Sequence, residues 1–86
     1  MINPPVKTSQ DFMYVMPSHI RAARGWLGWN LDEMQEKSGL SRDTISRFER
    51  GKQKIANDTR AVLFQTCFMA GVELLPDGLR ARGMQP

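Results

Sequence analysis

The chain has 86 residues, of which 41% are hydrophobic and 24% charged, and a formal net charge of +3. We expect one domain with a single small core, no membrane-spanning segment, and a cytoplasmic location because the N-terminus lacks a signal-peptide pattern. The single cysteine, Cys67, excludes an internal disulfide and a multi-cysteine metal site. No metal-ligand cluster, phosphate-cradling loop or nucleophile–base pair is evident, so we expect no enzyme activity and no cofactor.

The positive charge is concentrated in one short window. Residues 42–54 contain five basic and two acidic residues, so this window carries the whole net charge of +3 and the rest of the chain sums to zero. Binding to phosphates requires such a concentration of charge. A solvated helix face would explain the charges but not their clustering.

The N-terminal part, residues 1–17, is predicted to be a flexible arm with a short apolar segment. Its first ten residues are mostly polar and include Asn3-Pro4-Pro5, a composition that is poorly suited to a packed core. Residues 12–16 are apolar and partly β-prone and are ended by Pro17, which indicates a strand or an extended segment packed on the domain.

The first core helix is predicted from Ser18, as its N-cap, to about Gly28. His19, the single histidine, is expected at the surface or at the start of this helix rather than in a catalytic role. Arg21 lies on an outer face and is available to phosphate. The inward stripe at helical spacing comprises Ile20, Ala23, Arg24 and Leu27.

Two short helices then follow in close succession. Asn30 with an acid at Glu33 forms a capping-box variant that starts a helix over 30–38, which Gly39 ends. Ser41 is a suitable N-cap for the next helix, over about 42–50, and Gly51 suits the left-handed position after it. The three residues between the helices predict a tight turn and a helix-turn-helix arrangement.

The second of these helices has an apolar face and a charged face. Ile45 and Phe48 lie three residues apart and face inwards. The charged side chains that remain available to something outside the fold are Arg42, Asp43, Arg47 and Arg50.

A fourth helix is predicted from Asn57 or Asp58 to about Ala70, with Gly71 as its stop. Its apolar residues cover more of the circumference than one core-facing stripe needs, which favours contact with a second chain. Residues 72–86 contain two alternating runs joined by Pro76-Asp77-Gly78, which predicts a β-hairpin that pairs with residues 12–16 or with another subunit. The possible dimer contacts are Phe64, Phe68, Val72 and Leu74.

Over residues 18–71 the chain resembles the Cro and phage-repressor family of DNA-binding proteins, also called the XRE family. The segments that carry the resemblance are 18–24, the turn 39–41 and the helix 45–51. The resemblance implies a mostly helical fold, a compact bundle of four to five helices with a central helix-turn-helix. A short C-terminal β-hairpin or dimerisation strand is expected to follow it.

The resemblance also implies roles for individual residues. In such proteins the second helix of the motif enters the major groove. The base-reading positions are then Arg42, Asp43 and Arg47. The positions near the DNA backbone are Arg21, Ser41, Thr44, Arg50, Lys52 and Lys54, the two lysines lying in a loop that clamps phosphate. An ion pair is expected between Arg24 and Glu49.

Two positions depart from the family pattern. Leu31 stands where a polar residue that contacts phosphate is common. Gln35 stands where Ala is favoured, so its amide must bend out to solvent or widen the helix crossing.

Two functions follow from these features. The first is a sequence-specific regulator that binds double-stranded DNA as a homodimer, with its recognition helices about 34 Å apart on a near-palindromic operator. The alternative is a protein-interaction module of antitoxin or antiactivator type, whose fourth helix and C-terminal strands bind a protein partner. DNA binding would weaken steeply with salt, whereas the protein complex would survive it.

Overall fold

A computed structural model of the protein describes residue 12, residues 14–51 and residues 57–81. The order of elements is α1 (Pro17–Leu27), α2 (Leu31–Ser38), α3 (Arg42–Glu49), α4 (Asn57–Met69), β1 (Val72–Leu75) and β2 (Gly78–Ala81). The mostly helical fold with a C-terminal hairpin is therefore confirmed. The predicted arm over residues 1–10 and the loop with Lys52 and Lys54 lie outside the described residues.

One core joins all of these elements. α3 packs against both α1 and α2, while α4 lies against α2 and β1. Fully burying one large aliphatic or aromatic side chain contributes roughly 1.5–3 kcal/mol, so these side chains supply most of the driving force for folding. The buried apolar residues are Val15, Ile20, Ala23, Met34, Ile45, Phe48, Leu63, Cys67, Val72 and Leu74. Burial raises the pKa of the Cys67 thiol to about 12.

The prediction that Ser18 caps α1 was wrong by two residues. The helix begins at Pro17, with Met16 as its N-cap. Pro suits the first helical position because the N–H that it lacks would have no partner within the helix. His19 takes over part of the capping, since its Nδ1 accepts a hydrogen bond from the Met16 backbone N–H at 2.9 Å. His19 does stand at the start of the helix, but it is buried rather than on the surface.

The described residues before α1, residue 12 and residues 14–16, form no paired strand. Phe12 and Tyr14 lie in tight turns, and the Val15 N–H donates to the Phe12 carbonyl at 3.0 Å. The sheet in the described residues consists of β1 and β2 alone, antiparallel, with Val72 opposite Ala81. The N-terminal segment instead joins the hairpin through a side chain, because the Tyr14 hydroxyl donates to the Leu74 carbonyl at 2.6 Å.

The hairpin also corrects the predicted dimer contacts. Val72 and Leu74 have 0% exposure within their own chain, so neither side chain is available to a second subunit. They point inwards because β1 lies against α4, which buries alternate residues of the strand. Phe64 and Phe68 are half-buried, stacked with their ring centroids 5.9 Å apart.

Candidate nucleic-acid interface

The first helix of the motif is fixed by short-range hydrogen bonds. The Glu33 N–H donates to Asn30 Oδ1 at 2.8 Å, and the Asn30 N–H donates to Glu33 Oε1 at 2.8 Å, which completes the capping box. At the other end Gly39 adopts the left-handed conformation with φ of 79°. This conformation is strained for a residue with a Cβ but not for glycine, so glycine allows the chain to turn sharply here. α2 ends at Ser38, as the sequence predicted.

α3 begins at Arg42, as the sequence indicated, and ends at Glu49, one residue before the predicted end. The Thr44 N–H donates to Ser41 Oγ at 3.0 Å, and Gly51 follows the helix with φ of 64°. Ile45, Phe48 and Glu49 are buried on the inner side. The exposed side chains of the opposite side and of the helix end are Arg42, Asp43, Arg47 and Arg50. α3 therefore presents a face with three guanidinium groups and one carboxylate to the outside.

An ion pair ties the inner side of α3 to α1. Arg24 Nε donates to Glu49 Oε2 at 2.7 Å, and Arg24 Nη2 donates to Glu49 Oε1 at 2.8 Å. Arg24 Nη1 also donates to the Trp29 carbonyl at 3.0 Å. The hydrogen bond to Glu49 raises the pKa of Arg24, although partial burial acts in the opposite direction. Such a two-point contact fixes orientation as well as distance, so it sets how α3 lies on α1.

Arg21 reaches the same end of α3 from the surface. Its Nη1 donates to the backbone carbonyl of Glu49, in the last turn of the helix. A guanidinium has five N–H donors, so this contact leaves others for a ligand. Arg21 and Arg50 are both exposed, and each lies at or beside the C-terminal end of α3.

The two arginines proposed to read bases both contact carboxylates in the free protein. Arg47 Nε lies 3.0 Å from Asp43 Oδ2, one helical turn earlier. Arg42 Nη1 donates to Asp32 Oδ1 of α2 at 2.9 Å. The spacing of Asp43 and Arg47 is readable from the sequence, since side chains four apart on a helix are neighbours. No comparable signal marks Asp32 in the sequence, because its partner lies across the turn.

The structure explains one departure from the family pattern. Gln35 Oε1 accepts a hydrogen bond from the Arg42 backbone N–H at 2.6 Å. This N–H belongs to the first turn of α3 and has no partner within the helix. The amide of Gln35 therefore bends onto the start of α3. Leu31, the second departure, is half-buried and packs against the core, which explains an apolar residue at this position.

The predicted DNA-contact residues that the structure describes thus lie on α3 or beside its two ends. Base-reading candidates occupy the outer side of α3, Ser41 and Thr44 bond each other at its start with Oγ and Oγ1 2.9 Å apart, and Arg21 and Arg50 lie at its end. Lys52 and Lys54 belong to the part of the chain that is not described. None of the helices that the structure describes is long and apolar enough to cross a membrane.

Comparison with known proteins agrees with this geometry. A helix-turn-helix family model matches residues 20–62, half of the chain. The chain belongs to this family, the Cro/C1-type helix-turn-helix proteins also called XRE, and it is accordingly a DNA-binding helix-turn-helix protein. No curated protein and no solved structure matches the chain.

Proposed function

We propose that the protein is a transcriptional regulator that binds double-stranded DNA at a specific sequence, as a homodimer on a near-palindromic operator. α3 is the recognition helix and enters the major groove. The observation that carries the proposal is the outer side of α3, where Arg42, Asp43 and Arg47 are all exposed on a helix whose other side is anchored in the core.

The chemistry of these three side chains suits direct reading of base edges. Arg42 and Arg47 each offer a planar pair of donors to the O6 and N7 acceptors of guanine, and Asp43 accepts from the amino group of cytosine. Their ion pairs in the free protein are well exposed. Exposed pairs of this kind contribute roughly 0–1 kcal/mol, less than the roughly 1–3 kcal/mol of discrimination from a bidentate base contact. Neither ion pair is therefore strong enough to prevent a base contact.

Contacts to the DNA backbone position the helix without reading sequence. Ser41 and Thr44 lie at the start of α3, at the positive end of the helix dipole, and Arg21 and Arg50 lie at its end. Lys52 and Lys54 complete the proposed set. Hydroxyl groups at the start of the recognition helix and basic groups at its end then hold it in register over the bases.

The dimer surface is proposed on the outer side of α4. Phe64 and Phe68 are half-buried within the chain, and Met69 beside them is 73% exposed. A chain of this size gains stability from covering such apolar area with a second subunit. A symmetric pair places two copies of α3 on one side of the duplex, which matches a near-palindromic site.

The test begins with selection of genomic DNA fragments by the purified wild-type protein, followed by titration of the best site. Arg47→Ala is expected to weaken binding at that site by at least about thirtyfold, because it removes one bidentate base contact from each of the two half-sites. Arg80→Ala is the matched control, since Arg80 is also exposed and paired with a carboxylate, Glu73, at 2.7 Å, but lies on β2.

Salt dependence separates DNA binding from protein binding. Affinity for the selected site is expected to fall with salt, with a log–log slope of about −0.9 for each phosphate contact. If no DNA sequence is enriched, or if Arg47→Ala and Arg80→Ala bind alike, the regulator proposal is wrong in this form. A salt-resistant protein complex on α4 would then favour the interaction-module alternative.

A further inference from the structure

The first residue of the proposed recognition helix is held at two points by α2. Asp32 binds the Arg42 guanidinium, with Nη1 and Oδ1 2.9 Å apart. Gln35 binds the Arg42 backbone N–H, with N and Oε1 2.6 Å apart. Asp32 and Gln35 are three residues apart on a helix, so they share the face of α2 that meets α3. One contact fixes the backbone of Arg42, and the other fixes the direction of its side chain.

We propose that Asp32 is a specificity-determining positioning residue for DNA recognition. It holds the Arg42 guanidinium over the base edge, and it penalises complexes in which Arg42 turns away to a phosphate. The inference rests on the proposed function and assigns to α2 a role in sequence reading. Asp32 acts through Arg42 and contacts no base itself.

The geometry of the guanidinium allows Arg42 to contact Asp32 and a base together. Asp32 engages Nη1, which leaves the edge formed by Nε and Nη2. That edge is a planar fork of two donors and fits the O6 and N7 acceptors of guanine. The ion pair therefore survives in a complex with the correct base. A guanidinium that turns out of this plane towards a phosphate loses the contact with Asp32.

Repulsion between the Asp32 carboxylate and the DNA phosphates weakens complexes in which Arg42 has turned away. A carboxylate bound to Arg42 lies at the same end of α3 as the bases that Arg42 would read, hence close to the phosphates on either side. While Arg42 neutralises it, the repulsion from the DNA is small. When Arg42 leaves, an unpaired negative charge remains beside a polyanion. Asp32 therefore weakens complexes with the wrong sequence more than the complex with the correct one.

Stability is a poor alternative explanation for this pair. The Arg42 and Asp32 side chains are 59% and 69% exposed, respectively. Pairs this exposed contribute little to folding in water, and salt screens them further. The substitution Asp32→Asn is therefore expected to leave the melting temperature nearly unchanged, and its effects are to be sought in DNA binding.

The experiment uses the DNA site selected by the wild-type protein and a panel of duplexes in which each base pair is changed in turn. Wild type, Asp32→Asn, Arg42→Ala and the double variant are titrated against the panel. Glu36→Gln is the matched control, because Glu36 is an exposed acid on the same helix and its loss changes the net charge equally.

The expected result is local to one base pair. Arg42→Ala identifies the base pair that Arg42 reads, and Asp32→Asn is expected to lower discrimination there by about tenfold, with the other positions unaffected. Asp32→Asn is also expected to bind unrelated DNA several-fold more tightly. The double variant is expected to discriminate no worse than Arg42→Ala, because Asp32 acts only through Arg42.

Two results would overturn the inference and are distinguishable from each other. If Asp32→Asn and Glu36→Gln change binding alike at every base pair, Asp32 contributes only net charge, and the proposed function stands without it. If the wild-type protein prefers no sequence, the proposed function fails and the role of Asp32 fails with it. Thermal melting of each variant checks that differences in binding do not arise from unfolding.

Discussion

Glu49 is held by α1 through both its side chain and its backbone. Its carboxylate receives two hydrogen bonds from Arg24, and its carbonyl receives one from Arg21. The Glu49 and Arg24 side chains are only 7% and 23% exposed. A charge this far from water needs its partner, because neither solvent nor another group replaces the lost contacts. The pair therefore fixes α3 in place only while both members are present.

We predict that Glu49→Gln lowers the free energy of unfolding by about 2–3 kcal/mol, because it leaves the Arg24 guanidinium partly buried without a counter-charge. Urea denaturation followed by circular dichroism measures the change. The double variant Arg24→Met/Glu49→Met is expected to lose less than the sum of the two single changes, since it removes both charges together. Additive losses would show that the ion pair does not couple α1 to α3.

Among the elements, α2 and α3 were predictable from the sequence almost to the residue. Their boundaries depend on caps within three residues of the helix ends, such as Asn30 with Glu33 and Ser41 with Thr44. The contacts of Gln35 and Asp32 with Arg42 were not predictable, because they cross the turn and depend on how the two helices pack. Local signals thus defined the ends of α3, and tertiary contacts defined the orientation of its first side chain.

The start of α1 was not predictable, because a distant element determines it. His19 Nδ1 accepts from the Met16 N–H, so the other ring nitrogen, Nε2, carries the proton and donates to the Leu75 carbonyl at 2.7 Å. Tyr14 donates to the neighbouring Leu74 carbonyl. These bonds connect the start of α1 to β1, over 50 residues away in sequence. Side-chain hydrogen bonds thus connect these segments, where the sequence had suggested strand pairing.

We predict that His19→Leu lowers the free energy of unfolding by about 1–3 kcal/mol, because it leaves the Met16 N–H and the Leu75 carbonyl without their partner. Chemical denaturation measures the loss. His19→Gln is the matched control and is expected to lose less, since its amide nitrogen can still donate to Leu75. Equal losses for both variants would indicate that ring packing against Tyr14, with centroids 5.9 Å apart, matters more than the hydrogen bonds.

At the scale of the whole molecule, one small core supports α3 and, in the proposed dimer, a second subunit as well. The described core contains ten buried apolar side chains. β1 contributes Val72 and Leu74 to it, and Leu79 of β2 packs against it. The sequence predicted excess apolar surface on α4, where Met69 is 73% exposed, but it assigned part of the possible dimer contact to Val72 and Leu74, which the chain itself buries. The spacing of apolar residues in the sequence identifies a face to be buried, but it does not show which neighbouring element covers that face.

The proposed dimer makes DNA binding depend on the spacing between half-sites. Two recognition helices fixed about 34 Å apart contact half-sites whose centres are about 10 bp apart, on one side of the duplex. Inserting 5 bp, about half a helical turn, rotates the second half-site to the opposite side. The protein then contacts only one half-site and loses about half of its contacts to bases and phosphates.

We therefore predict that a 5-bp insertion at the centre of the selected site lowers affinity by at least about tenfold and reduces the salt slope to about half, since the slope counts phosphate contacts. Titrations at several salt concentrations measure both quantities. A duplex with the same 5 bp added outside the site keeps the length and the spacing constant and is expected to bind like the original. If the central insertion changes neither affinity nor slope, each chain binds its half-site independently, and the paired arrangement of the two α3 helices is wrong.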